Sequence, residues 1–248
     1  MKVVIDIGNT DIVLAAKVDG IWLPHFRHPT AEVDTWNLSL SQALETWGNP
    51  SSIEQQIVSS VVPAATPKLV EHVTAEHGPA PLVLGKEHFR RLGIRHAEEI
   101  GSDLVANAYA AYDRFQTACV AVDFGTALTF TVVDAQGEIA GVNIAPGLKT
   151  AVKALFQNAA QLPEIPLEYP SSALGQNTTH AIQAGILIGY VGLVKEMLTN
   201  IEQEMGQTVH SIATGGLARI IPPLQDVFDE IDSLLTLDGL LLLGKHFA

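Results

Sequence analysis

One cysteine, Cys119, is the whole stock of thiols in a chain of 248 residues. A disulfide scaffold and a thiolate metal cluster are both excluded. Within its apolar run, Cys119 reads as a small buried hydrophobe. Basic residues are scarce too, with 14 Lys and Arg against 27 Asp and Glu and a net charge of −13. A general nucleic-acid binder needs a basic face to neutralise phosphates, so that class is out. Small phosphorylated ligands stay open, because backbone amides and bridging cations hold them on acidic proteins. Long apolar runs are missing as well. The N-terminal run stops at Asp6, short of a signal sequence. Residues 234–243 are broken by Asp238 and Gly239 and fall short of the roughly 18 residues a membrane span needs. The expectation is a cytoplasmic, reduced protein with no membrane and no nucleic-acid partner. What is present is apolar bulk. With 47% hydrophobic and 17% charged residues, disorder is excluded and one large or two modest domains can bury a core.

Two segments look alike. Lys2 to Ala15 carries an apolar run, then Asp6-Ile7-Gly8-Asn9-Thr10, then a second β-rich run; Cys119 to Val133 repeats the order around Asp123-Phe124-Gly125-Thr126. A glycine between two strand-like runs predicts a tight hairpin in each. The two motifs lie nearly half a chain apart, which suggests an internal duplication with a boundary near 117. Strands are expected at 3–6, 12–17, 56–61, 81–84, 118–123, 129–134, 138–144 and 209–214. Helices are expected at 33–46, 65–77, 102–115, 150–160, 178–205 and 217–221. Asp134-Ala135-Gln136-Gly137 reads as a hairpin turn. Strands and helices intermixed in this way indicate an α/β fold.

The hairpins are candidates for phosphate contact. A glycine lets a phosphate approach the backbone, amides and the Thr10 hydroxyl can donate to it, and a carboxylate at a strand end suits Mg²⁺. An ordinary turn, with Asp and Asn bonding their own backbone, is the plainer reading of either motif alone. Recurrence favours the ligand. Gly215-Gly216 after the run 211–214 offers a third turn feeding a helix. Gly101-Ser102-Asp103 opens a helix; Ser102 or Asp103 fits an N-cap, and Asp103 also fits a general base beside an incoming phosphate. Farther on, Asn177 or Thr178 caps a helix on which Gly185, Gly189 and Gly192 share one face, a stripe suited to packing on a partner or on the sheet. His25, His28, His72, His77 and His88 lack metal-ligand spacing and read as surface or loop residues, while Trp22, Trp36 and Trp47 read as packing.

In order and spacing these segments resemble the type III pantothenate kinases over nearly the whole chain. The pattern runs through Asp6 to Thr10, Ser59-Ser60-Val61-Val62-Pro63, Gly101-Ser102-Asp103 and Asp123 to Ala127. It continues through Ile144 to Leu148, Leu174 to Thr178, Gly189 to Leu193, Ala213 to Ala218 and Leu235 to Leu240. The resemblance implies the acetate-and-sugar-kinase/Hsc70/actin fold. That fold has two ribonuclease-H-like halves, here 1–116 with the first phosphate hairpin and 117–248 with the second and a dimer helix. It implies a homodimer that uses ATP to phosphorylate pantothenate to 4'-phosphopantothenate, the first step of coenzyme A synthesis. By the same resemblance Asp6, Ile7, Gly8, Asn9, Thr10, Asp11, Ile12 and Val13 form the first ATP segment, and Thr126 contacts ATP. Asp103 accepts the proton. Gly101, Ser102, Asp103, Leu104 and Thr178 line the pantothenate site. Asp123 holds a monovalent cation, K⁺ or NH₄⁺, and Asp6 is a candidate for the Mg²⁺ that accompanies ATP.

The chain departs from the family pattern at Leu104, where an Arg is usual, and at Thr131 and Val142, where Asp and Gly are common. Losing a charge-assisted hydrogen bond at position 104 is expected to cost roughly 1.5–3 kcal/mol of substrate binding. Leu104 therefore motivates an alternative: a catalytically weak relative that binds nucleotide or a pantothenate-like ligand in an accessory or regulatory role. A phosphatase of nucleotides or polyphosphate on the same fold is a third reading.

Overall fold

A computed structural model describes residues 1–48, 53–76, 79–158, 165–216 and 221–247. Along the chain run β1 (Lys2–Ile7), β2 (Asp11–Val18), β3 (Ile21–Trp22), β4 (Phe26–Pro29), a 3-10 turn at Thr30–Thr35, α1 (Trp36–Trp47), β5 (Gln55–Ser60), α2 (Thr66–Glu76), β6 (Leu82–Val83), α3 (Lys86–Arg91) and α4 (Ser102–Phe115). There follow β7 (Cys119–Phe124), β8 (Ala127–Val133), β9 (Ile139–Pro146), α5 (Leu148–Asn158), α6 (Thr178–Gln183), a π-helical turn at Ala184–Ile188, α7 (Gly189–Met205), β10 (His210–Thr214), β11 (Glu230–Ile231) and α8 (Leu235–Lys245). The helix expected at 217–221 lies almost wholly outside the described residues.

The chain forms two compact units, Met1–Ala110 with Thr236–Ala248, and Ala111–Leu235. In the first, the sheet order is β3-β2-β1-β5-β6, with β4 also against β2. In the second it is β9-β8-β7-β10-β11. Both have an antiparallel meander on one side of the central strand and parallel strands on the other. The duplicated ribonuclease-H-like plan expected from the sequence is therefore present in five matching strands of each sheet, with β4 an addition to the first. The central strands read as near-continuous apolar runs because parallel neighbours and helices cover them. Val3, Val4, Ile5 and Ile7 are buried in β1, as are Val120, Ala121, Val122 and Phe124 in β7. Ile5, Ile12, Leu14, Trp36 and Leu69 fill the first core. Val122, Leu128, Phe130, Leu187 and Val194 fill the second.

Four features depart from the sequence reading. First, residues 236–248 pack with the first unit, whereas the sequence reading kept all of 117–248 together. Asp238 of α8 takes Lys17 Nζ at 2.6 Å and Trp22 Nε1 at 3.0 Å, and Thr236 donates to Asn107 Oδ1 at 2.8 Å. Gly239 lies against the Ala106 backbone so closely that a Cβ has no room there. Second, β3, β4, β11, α3 and α8 were not anticipated; β3 and β11 are two residues each, too short to display a period. Third, His28 is buried, with Nε2 on Glu32 O at 2.7 Å and Nδ1 against Ser39 Oγ at 3.0 Å. A carbonyl only accepts, so Nε2 carries the proton. Finally, among the described residues Thr178–Met205 is long and apolar enough, by length and composition, to cross a membrane. A search for unbroken apolar runs passes over it because glycines and single polar residues interrupt the stretch. His77 lies outside the described residues.

Candidate active site

In the first unit β1 delivers Asp6 and β2 returns through the expected hairpin, with Asp6 opposite Val13 and Ile7 opposite Ile12. Gly8 N donates to Asp11 O at 3.0 Å, and Asn9 and Thr10 are exposed at the tip. Parallel β5 runs beside β1 and sets Ser59 level with Asp6. Ser59 is fully buried, and its hydroxyl donates to Asp6 Oδ1 at 2.8 Å. Its oxygen also lies 2.8 Å from Ser102 Oγ. A serine has one proton. With the Ser59 proton on the carboxylate, Ser102 must donate into Ser59, and a directed chain Ser102→Ser59→Asp6 results.

Ser102 and Asp103 open α4. Burial pushes the Asp103 carboxyl above the usual carboxylate range, while backbone N–H groups of Leu104 and of Asp103 itself act to lower it. Its Oδ1 is buried and has no hydrogen-bond partner. That oxygen sits directly over Gly101, where any Cβ would collide with it. A side chain at 101 would push the carboxylate out of this orientation. Leu104 is buried and offers no polar group. An orphaned carboxylate oxygen with a raised proton affinity is suited to accept a proton from an alcohol.

In the second unit β7 and β8 form the matching hairpin, with Gly125 N donating to Ala127 O at 3.1 Å. Thr214 of β10 lies opposite Asp123. Gly215 follows with φ of 90°, and a Cβ there would stand 2.6 Å from Asp123 Oδ1. A side chain would therefore fill the space beside the carboxylate, and the positive φ independently favours glycine. A carboxylate in a cradle of bare backbone suits a monovalent cation that takes oxygen ligands. Asp6, held by Ser59 beside an exposed hairpin, fits a Mg²⁺ that keeps waters and phosphate oxygens. Among the described residues no three His, Cys, Asp or Glu side chains gather into an all-protein metal site.

Asn177, not Thr178, caps α6, accepting from His180 N at 2.9 Å. Thr178 is exposed and lines an open cavity of 570 Å³ together with Leu155, Gln176, Asn177 and Ile186. Thr126 is exposed at the tip of the second hairpin. Three further residues escaped the sequence reading as site residues: Ser59, Thr30 and Thr150. Thr30 donates from Oγ1 to Gly8 O at 2.7 Å and from N to Thr10 O at 2.9 Å. Thr150 Oγ1 donates to Thr126 O at 2.7 Å. Ser59 stood in a motif that could have flagged it; the threonines carry no local signal.

Comparison with known proteins fits this geometry. Residues 2–200 match the family model described as type III pantothenate kinase. The chain is 41% identical over 248 residues to a type III pantothenate kinase of Treponema pallidum (strain Nichols), covering 95% of this chain and 90% of that protein. It is 37% identical to one of Moorella thermoacetica, covering 97% of each. Among solved structures, component A of (R)-2-hydroxyglutaryl-CoA dehydratase of Acidaminococcus fermentans superposes with a TM-score of 0.58 at 13% identity. That match covers 100% of this chain and 99% of the other, a likeness of fold alone.

Proposed function

The chain belongs to the type III pantothenate kinase family and transfers phosphate from ATP to pantothenate in coenzyme A synthesis; from that premise we infer that Asp103 is its general base. The observation that supports this assignment is the buried, unpartnered Oδ1 of Asp103 at the start of α4. In its ionised form the Asp103 carboxylate takes the proton of the pantothenate primary hydroxyl as the hydroxyl oxygen attacks the γ-phosphorus and ADP leaves. The hairpin from Asp6 to Val13 and the tip residue Thr126 receive the phosphates on backbone amides and hydroxyls. Gly101, Ser102, Leu104 and Thr178 line the pantothenate site. The chain Ser102→Ser59→Asp6 holds Asp6 in one orientation, ready for Mg²⁺, and Asp123 holds K⁺ or NH₄⁺. When bound, these cations offset the charge of the transferring group. What the protein supplies is orientation and aimed dipoles.

The working form in this reading is a cytoplasmic homodimer. At Gly185, Gly189 and Gly192 a Cβ would meet nothing within 4 Å, so the stripe does not pack on its own sheet. A second copy is the occupant that an exposed, apolar, glycine-lined helix face suits. Coupled ADP release with pantothenate, MgATP and K⁺ tests the assignment. Turnover by the wild type and a loss of about 10²–10⁴-fold in Asp103→Asn are expected. An Asp103→Asn variant as fast as wild type refutes the base.

A further inference from the structure

Each hairpin is tied from behind by a threonine that lies far from it in sequence. In the first unit Thr30, just past β4, gives its hydroxyl to Gly8 O at 2.7 Å and its N–H to Thr10 O at 2.9 Å. In the second, Thr150, in the first turn of α5, gives its hydroxyl to Thr126 O at 2.7 Å, and the N–H of Gly147 reaches the same carbonyl at 3.0 Å. Gly147 is pressed against the Gly125 and Thr126 backbone so tightly that no Cβ fits. The carbonyls held by the two hydroxyls are neighbouring, not equivalent, positions of the two motifs: that of the glycine in the first and that of the residue after the glycine in the second. Thr30 lies 22 residues beyond the carbonyl it holds and Thr150 lies 24 beyond its own. In both units a threonine hydroxyl and one backbone N–H together take the carbonyls of the hairpin tip.

Peptide planarity converts this into a statement about donors. In a trans peptide C=O and N–H point to opposite sides, and the described chain has no cis bond. Fixing the Gly8 carbonyl on Thr30 therefore aims the Asn9 N–H away from Thr30, and fixing the Thr10 carbonyl does the same for Asp11. Holding the Thr126 carbonyl aims the Ala127 N–H in the same fashion. Without the Thr30 hydroxyl the Gly8–Asn9 peptide loses its tie and can turn a carbonyl toward an anion, which repels it; without the Thr150 hydroxyl the Thr126–Ala127 plane is held by the Gly147 N–H alone and is less firmly aimed.

We propose that Thr30 and Thr150 are positioning residues for the kinase reaction, each locking the peptide planes of one phosphate hairpin so that ATP meets amides already aimed. The proposal rests on the reading that these hairpins receive the phosphates of ATP. It adds residues outside both hairpin motifs and extends the duplication to the supports behind each loop. Their role is preorganisation, since each hydroxyl donates its proton to a hairpin carbonyl and so has none to give to a ligand.

The test compares Thr30→Val, Thr150→Val, Thr30→Ser and Thr150→Ser with Gly8→Ala as a direct lesion of the first hairpin. The readouts are MgATP affinity by calorimetry without pantothenate, KM for each substrate, and thermal melting without ligand. Loss of one neutral hydrogen bond predicts MgATP binding weaker by roughly 3- to 10-fold in each valine variant. The KM for pantothenate should be unchanged, the serine variants should behave as wild type, and the double valine variant should multiply the two losses. Normal MgATP affinity in Thr30→Val and Thr150→Val, with Gly8→Ala weakened, overturns the braces and leaves the hairpin reading intact. Normal affinity in all three overturns the hairpin reading and the proposal with it. A lowered melting temperature with wild-type nucleotide affinity assigns the threonines to stability alone, and also overturns it. Should Thr30→Val not fold, Thr150→Val carries the same test, because its side chain is exposed.

Discussion

At the scale of single residues, Asp103 sets stability against activity. Its carboxyl is raised above the ordinary range by burial, so the folded state favours the protonated form. A group of this kind contributes stability below its unfolded pKa, about 3.9 for Asp, and that contribution is lost as pH rises through the folded value. Asp103→Asn is therefore expected to melt higher than wild type at pH 7, with the gap closing below about pH 4. Melting curves of both proteins across that range check it. Turnover runs the other way: the acid limb of kcat/KM should lie above the usual carboxylate range, because the base acts only when ionised. Ser59→Ala breaks a buried chain and removes one hydrogen bond from each of Ser102 and Asp6. A cost of about 1–3 kcal/mol is expected in denaturant melts, with weaker activity at limiting Mg²⁺. The hairpins around Asp6 and Asp123 and the helix start at Asp103 were legible in the sequence because each lies in a short motif that repeats or opens a helix. Ser59, Thr30 and Thr150 act through contacts made across the fold. Their types, Ser and Thr, are too common to stand out.

Among the elements, the long central strands and the hairpins between them were the most readable, since an apolar run ended by Asp-x-Gly leaves little choice. α4 was legible to its first and last residue, Ser102 and Phe115, and the Ser102 hydroxyl is turned to Ser59. The helix expected over 33–46 begins instead as a 3-10 turn at Thr30–Thr35, and the one expected over 178–205 contains a π-helical turn at Ala184–Ile188. Side-chain periodicity does not distinguish these windings. α8 was missed because Leu240 to Leu243 offer no polar face to mark a period. Its docking depends on Asp238, whose partners Lys17 and Trp22 are only partly exposed. Asp238→Ala removes both bonds and is expected to cost about 1–3 kcal/mol. For a chain of this size that is about 2–4 °C of melting temperature per kcal/mol, which calorimetry will read.

For the whole molecule, the duplicated plan was visible because both copies carry the Asp-x-Gly hairpin between antiparallel strands, while the sequence around the two hairpins differs. The division into compact units was less visible. Chain order suggests one cut, but the contacts of α8 are made by side chains of β2 and β3 more than two hundred positions away. The glycine stripe gives a prediction at this scale: sedimentation should return twice the 26.5 kDa of one chain. Gly189→Trp has open space within its own chain, so it should leave far-UV circular dichroism unchanged and yield single chains. A single-chain wild type at micromolar concentration counts against the pairing.

The placement of α8 also orders events at the ribosome. The amino-terminal sheet emerges first, yet the helix that covers part of it is translated only after the entire second unit. Until then Lys17 and Trp22 wait without the Asp238 carboxylate, and the nascent chain carries an unfinished surface past a unit that can already close. Domains commonly fold in the order they leave the tunnel; here the first to appear is the last to be completed, and a stalled message would release a polypeptide whose opening half has no lid.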